Sequence, residues 1–340
     1  MTQLSELGEF GLINRIQQKF QNHNPQTIKG IGDDCAVIDN GTEYYTIVST
    51  DMLAESIHFD LRYVPLQHLG YKAVAVNVSD IAAMNGIPQQ ITVSLAFSSR
   101  FTVEAIDALY EGIAAACANY KVDLVGGDTT SSGSGLVISI TAIGKVEKSK
   151  IAYRNTASVN DIICVTGDLG GAYMGLQILE REKQAFLADP NAQPELEGKE
   201  YIVGRQLKPE ARMDVIHELA DLQIVPTSMI DISDGLASEV LHLCSQSGTG
   251  ASIYEDNLPI DTLTYNTAVE FNIQPTTAAL NGGEDYELLF TIKQADYEKL
   301  KSHPDIHFIG FMQDKSKGIN LITKQENVYP ITAQGWNHFQ

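Results

Sequence analysis

Residues 73–84 read AVAVNVSDIAAM. The run is apolar almost all the way round, and the segment containing it, Leu66 to Met84, has the length and residue choice of a helix, so it predicts a buried one. Within it Asn77 and Asp80 are three apart and share a face. A buried, unpaired carboxylate costs several kcal/mol unless a cation or hydrogen bonds compensate. Asp80 is therefore read as a metal ligand in preference to a cap or a buried hydrogen bond, because it stands mid-helix.

Outward from this helix the pattern alternates. EYYTIVST (43–50) and QITVSLAF (90–97) are β-branched strands on either side. Val103, Ile106, Tyr110, Ile113 and Cys117 recur at steps of three and four, an amphipathic helix. Val122 to Val125 reads as a short buried strand running into Gly126-Gly127-Asp128, and Leu136 to Val146 alternates as a sheet strand does. A polar linker at 147–150 follows this β-α-β-α-β-β half. Beyond it come a strand at 162–166 opening into a Gly-rich turn and helix, and an exposed loop or insertion at 185–200. A strand at 227–232 leads into a helix from Leu236, and later strands fall at 287–292 and 307–310. The expectation is a mixed α+β (α/β) chain of two domains, 1–148 and 149–340.

Composition narrows the chemistry. The 340 residues carry 23 basic and 43 acidic side chains, a formal net charge of −20. That balance argues against wrapping a nucleic-acid backbone. No stretch approaches the ~20 apolar residues that span a bilayer, and the first residues do not resemble a signal peptide. The cysteines Cys35, Cys117, Cys164 and Cys244 are scattered, which fits reduced thiols in a cytoplasmic protein.

The aspartates carry the strongest signal. Asp33 and Asp34 follow Gly30-Ile31-Gly32, and Asp51 closes the strand EYYTIVST. Asp128 follows Val125-Gly126-Gly127, and Asp231 and Asp234 sit at the end of the strand at 227–232. Any one of these reads first as a turn or cap. Together with Asp80 they read as oxygen ligands of a shared Mg²⁺ site. The glycines at 167, 170, 171 and 175 match neither a P-loop nor a dinucleotide fingerprint, and tight turn and phosphate cradle stand about even there. No nucleophile-and-base motif occurs, and aspartates with Mg²⁺ suit phosphoryl transfer.

The segments ELGEFGLI (6–13), GIGDDCAV (30–37), STDML (49–53), NVSDIAAMNG (77–86), LVGGDTT (124–130), VTGDLGGAYMGL (165–176), DISDGL (231–236) and GGEDYEL (282–288) occur in this order. Together they resemble the thiamine-monophosphate kinases, in the superfamily that includes aminoimidazole ribonucleotide synthetase and selenophosphate synthetase. The resemblance implies ATP-dependent phosphorylation of thiamine monophosphate with several Mg²⁺ ions. It also implies a cytoplasmic homodimer with an aminoimidazole ribonucleotide synthetase-like fold, whose N-terminal domains pair around a shared β-barrel. Carried over position by position, it implies metal ligands at Asp33, Ser49, Thr50, Asp51, Asp80, Asp128, Asp231 and Asp234. Asp80, Asp128 and Asp231 would act in catalysis through metal. Tyr110, Gly127, Asp128, Arg154 and Ser233 would contact the nucleotide, and His58, Glu284 and Trp336 the substrate.

Two rivals stand beside this reading. A related ATP-using synthetase would activate an oxygen or a selenide; residues 1–30 hold no cysteine, which disfavours the selenium enzyme. A non-catalytic nucleotide-binding module could dispense with His58, Glu284 and Trp336, and all three are present.

Overall fold

The computed structural model describes residues 4–334. Helix α1 (Leu4–Gln17) precedes strands β1 (Thr27–Lys29), β2 (Ala36–Asp39) and β3 (Tyr44–Ala54). Helix α2 (Leu66–Ala83), strand β4 (Ile87–Phe97), helix α3 (Val103–Tyr120) and strands β5 (Asp123–Ser131) and β6 (Leu136–Glu147) complete the first half. Its six strands form one sheet in the order β1-β2-β3-β6-β4-β5. All pairs are antiparallel except β4 with β5, which are joined by the crossover helix α3 and run parallel.

Alternation fixes which face of this sheet is inside. Along β6, Leu136, Ile138, Ile140 and Ala142 are at most 1% exposed while the residues between them are not buried. Helix α2 lies on that inner face against β3, β4 and β6, and α3 packs on α2. The two helices touch at glycines. A Cβ on Gly70 would stand 2.0 Å from the Leu109 carbonyl oxygen, and one on Gly112 only 1.9 Å from that of Gln67. From Leu69 to Ser79 every residue of α2 is buried, as the apolar run predicts.

The second half comprises β7 (Ile162–Thr166), α4 (Gly171–Ala188), α5 (Glu200–Leu207), α6 (Met213–Asp221), β8 (Ser228–Asp231), α7 (Leu236–Ser247) and β9 (Gly250–Tyr254). It continues through α8 (Thr262–Glu270), α9 (Pro275–Asn281), β10 (Leu288–Ile292), β11 (Ile306–Gln313), β12 (Ile319–Ile322) and β13 (Val328–Pro330). Seven strands form a second sheet, β13-β12-β9-β11-β7-β10-β8. Strands β8 and β10 are buried at every residue, so they carry no period-two signal. Helix α2 also touches α5, α6 and β8, and so packs against both sheets. Among the described residues no helix is long and apolar enough to cross a membrane.

Several segments differ from the sequence expectation: β9, β12 and β13 are additional strands, and β3 runs past Asp51 to Ala54. Of the stretch at 122–125, read as a short buried strand, Val122 is buried and precedes β5, whereas residues 123–125 open β5, which runs on to Ser131, takes in the Gly-Gly-Asp and is exposed along its whole length. It is an edge strand, and its valine and leucine were read as core because edge and core strands share a composition. At 185–200, helix α4 continues to Ala188 and only residues 189–199 are irregular. Strands β1 and β2, short and preceding the first strand found by periodicity, extend the first sheet beyond the expected pattern.

Candidate active site

The acids converge where α2 meets the end of β8 and the loop before β2. Asp34, Asp80 and Asp231 each offer a carboxylate oxygen within 4.8 Å of the others. The loop 30–35 brings in Asp34, the last turns of α2 bring Asp80, and the fully buried strand β8 ends on Asp231. Ser49 on β3 donates its hydroxyl to Asp80 Oδ2. Ser79 donates to Asp231 Oδ2 at 2.6 Å, tying α2 to β8. Asn77 Oδ1 accepts from the Asp51 amide at 3.0 Å, which ties β3 to the helix.

Burial and mutual repulsion disfavour the ionised forms of Asp80 and Asp231. Burial, and then the charges of Asp51, Asp231 and Asp34, push the Asp80 carboxyl well above the usual range. Burial and then Asp34 push Asp231 up to about 7. The thiol of Cys35, which meets the Asp80 carbonyl oxygen at 3.4 Å, is raised by burial and by the same acids. One guanidinium faces them: Arg154 Nε donates to Asp34 Oδ2 at 2.8 Å and Nη2 to Oδ1.

The structure separates residues that the sequence grouped. Asp33 is the neighbour of Asp34 but lies outside the three-carboxylate group; its Oδ1 accepts from the Arg154 amide at 3.2 Å and its Oδ2 lies 3.3 Å from Lys29. Thr50 projects from the other face of β3, with Oγ1 donating to the Ile140 carbonyl at 3.1 Å and accepting from Thr141. Asp234 and Asp128 also lie outside the group of three. The Asp234 amide donates to Glu239 Oε1 at 3.0 Å. Asp128 stands on β5, and with Tyr110 and Gly127 it lines a shallow pocket of about 330 Å³, also bounded by Val93, Leu124, Gly126 and Thr129. Three of the residues named as nucleotide contacts thus share one pocket, while Arg154 is engaged with Asp34 and Ser233 lies beyond the end of β8.

Of the residues named for substrate, His58 accepts the Ala54 amide on Nδ1 at 3.0 Å, closing the turn after β3. Trp336 lies outside the described residues. The chain just before it is tethered by the Gln334 amide to Asn281 Oδ1 at 2.8 Å, beside the glycine pair that opens GGEDYEL.

The acids of that motif have separate tasks. Asp285 accepts the Gly170 and Ala172 amides at 2.7 and 3.2 Å, capping α4. The Gly-rich turn at 167–175 is therefore a turn already holding a carboxylate, which decides against the phosphate cradle there. Glu287 binds Arg205 and Arg212 and accepts from Thr166. Burial raises the Glu287 carboxyl, yet the two guanidinium groups hold it below its ordinary value. Only Glu284 faces the other half, pairing with Lys72 of α2 at 2.8 Å. Asp34, which stands among the aspartates read as oxygen ligands, is missing from the ligand set that the resemblance implies, and sequence reasoning passed over Lys72, Ser79 and Glu239; Lys72 carries the signal that exposed Asp80, a charge inside an apolar helix.

This donor set fits a divalent cation. Three carboxylates from three separate segments are brought together, with the ionised forms of Asp80 and Asp231 disfavoured, and hard oxygen ligands are what Mg²⁺ takes. Residues 32–146 match the family described as AIR synthase related protein, N-terminal domain. The chain is 35% identical to the thiamine-monophosphate kinase of Bacillus subtilis (strain 168) over 339 residues, covering 98% of this chain and all of that protein. It is 32% identical to the thiamine-monophosphate kinase of Aquifex aeolicus (strain VF5) over 336 residues, 99% of each. The solved structure of AaThiL complexed with AMPPCP and TMP superposes with a TM-score of 0.84 at 30% identity, covering 100% of this chain and 99% of that one. On its fold, its acid-lined site and full-length identity of this order, the chain belongs to the thiamine-monophosphate kinase family.

Proposed function

We propose that the chain transfers the terminal phosphoryl group of ATP to thiamine monophosphate, giving thiamine diphosphate and ADP, the last step in making thiamine diphosphate. The observation that carries this is the Asp34–Asp80–Asp231 group, in a family whose member AaThiL was solved with AMPPCP and TMP. A phosphate-monoester oxygen of the acceptor attacks the γ-phosphorus in line, and the bond to the bridging β–γ oxygen breaks as ADP departs. The second pKa of a phosphate monoester is about 6, so near neutral pH the acceptor is mostly dianionic and needs no strong base. No covalent nucleophile is invoked.

Asp34, Asp80 and Asp231 would hold Mg²⁺, with Ser49, Asp51, Asp33 and Asp234 around them, and the metal would supply the positive charge that lets two polyanions approach. Ser49, Ser79 and Arg154 orient the carboxylates through the hydrogen bonds they already make. Tyr110, Gly127 and Asp128 form the nucleotide side, with Arg154 and Ser233 toward the phosphates. His58, Glu284 and Trp336 take the substrate. The net charge of −20 is no obstacle in this scheme, because metal held by the carboxylates, not lysine, would supply the charge that offsets the phosphates.

The same reading gives a cytoplasmic homodimer with domains at 1–148 and 149–340. The exposed edge strand β5, with Leu124 44% and Val125 58% exposed, is the surface suited to pair with a second copy and build the shared barrel. The test is to incubate the protein with ATP, Mg²⁺ and thiamine monophosphate and to separate products by chromatography. Thiamine diphosphate formed one for one with ADP is the expected result. ADP without thiamine diphosphate, or a phosphorylated protein in a single turnover, would overturn the scheme.

A further inference from the structure

Lys72 lies in the N-terminal half of α2 and is only 2% exposed. Its ammonium lies 2.8 Å from Glu284 Oε1 and donates to the Gln206 carbonyl oxygen at 3.3 Å. Gln206, on α5, donates through Nε2 to the other oxygen of the same carboxylate. Both oxygens of Glu284 are thus gripped, one from each half of the chain. The backbone of Glu284 is held too. Its φ is 66°, a left-handed value that a non-glycine residue keeps only where its surroundings impose it. Its amide donates to the Ser233 carbonyl at 2.7 Å, next to the acids at the end of β8.

Packing alone does not call for a lysine at this point. A buried ammonium is costly unless paired, and an aliphatic chain of like volume would fill the same space. Its distinctive property is a directed positive charge, and that charge is spent on Glu284. Eight residues further along the same helix stands Asp80, about 12 Å away at 1.5 Å per residue. One rigid element therefore carries both a member of the carboxylate group and the anchor of Glu284, whose side chain remains 23% exposed.

We propose that Lys72 is a positioning residue for substrate recognition: with Gln206 it holds the Glu284 carboxylate at a fixed span from the Asp34–Asp80–Asp231 group. The hydrogen-bond-donating organic end of the phosphate-bearing substrate then docks on Glu284 while its phosphate lies at the carboxylates. The inference rests on the reading of Glu284 as a substrate contact. Lys72 touches no reacting atom and acts only through Glu284.

The test compares Lys72→Met, Lys72→Arg, Glu284→Gln and the double variant K72M/E284Q in steady-state kinetics with ATP, Mg²⁺ and thiamine monophosphate, with thermal midpoints alongside. Lys72→Met is expected to raise the KM for thiamine monophosphate roughly tenfold or more, the size of a lost charge-assisted hydrogen bond. The KM for ATP and kcat should stay within about threefold, and Lys72→Arg should recover most of the loss. The double variant should be no worse than Glu284→Gln alone, since the two act as one unit. It removes both charges together, so it reports on the pair even where Lys72→Met alone fails to fold. Additive losses, or a fall in kcat with both KM values moving together, would overturn the proposal. An unchanged KM in Glu284→Gln would instead overturn the reading of Glu284 itself.

Discussion

Asp80 sits where its charge is least welcome, surrounded by apolar helix and by other carboxylates, and this has a thermodynamic signature. Its folded-state pKa, like that of Asp231, lies above the value in an unfolded chain. A group shifted this way contributes stability that is fully present below the unfolded pKa and is lost as pH rises through the folded one. With Asp231 raised from 3.8 to about 7, the metal-free protein should lose stability as pH rises from about 4 to about 7. Saturating Mg²⁺, held by the folded carboxylates in the proposed scheme, should flatten that loss and raise the midpoint most at the alkaline end. Thermal denaturation with EDTA and with Mg²⁺ across this range is the check; a metal-free midpoint that climbs with pH would contradict it. Single residues were legible in the sequence where a charge interrupts an apolar run, as at Asp80. They were not legible in the loop Gly32-Asp33-Asp34, where irregular backbone sends adjacent carboxylates to different partners and no periodicity chooses between them. Lys72 carried the same signal as Asp80, but its partner lies 212 residues away in sequence and only folding brings them together.

At the scale of elements, helix α2 organises the site. It bears Lys72, Asn77, Ser79 and Asp80, and its placement depends on the close crossing with α3 at Gly70 and Gly112. Adding a methyl group at Gly112 would drive it into backbone, so Gly112→Ala should destabilise the fold by about 1–3 kcal/mol, as overpacking does. Urea denaturation measures this, and an unchanged midpoint would show that the crossing has slack. Helix α2 was readable because an apolar run of that length admits few alternatives, and strands β3, β4 and β6 because they are β-branched or alternate. Strands β8 and β10, buried on both faces, offer no alternation, and their ends were set by neighbouring glycine and acid clusters. Strand β5 misled because composition reports apolarity and not whether a neighbour covers it. The Gly-rich turn before α4 likewise cannot reveal from its own residues that Asp285, more than a hundred positions later, caps it.

For the whole molecule, the exposed edge of the first sheet is the surface that the proposed homodimer would use. Strand β5 ends the sheet with its residues uncovered, and two of them are large and apolar. The homodimer reading predicts twice the chain mass in light scattering and a shift toward the single-chain mass in Val125→Asp. An unaltered dimer in that variant would place the contact elsewhere. The central claim concerns the two halves jointly: one carboxylate group, built from the loop before β2, from α2 and from β8, serves phosphoryl transfer to thiamine monophosphate. Asp80→Asn tests it most directly, because it removes one ionised ligand at nearly constant volume. Thiamine diphosphate formation by the wild-type chain and by this variant, measured with ATP and Mg²⁺ and with folding checked by circular dichroism, should differ by about 10²-fold or more. A folded variant that turns over at close to the wild-type rate would contradict the account.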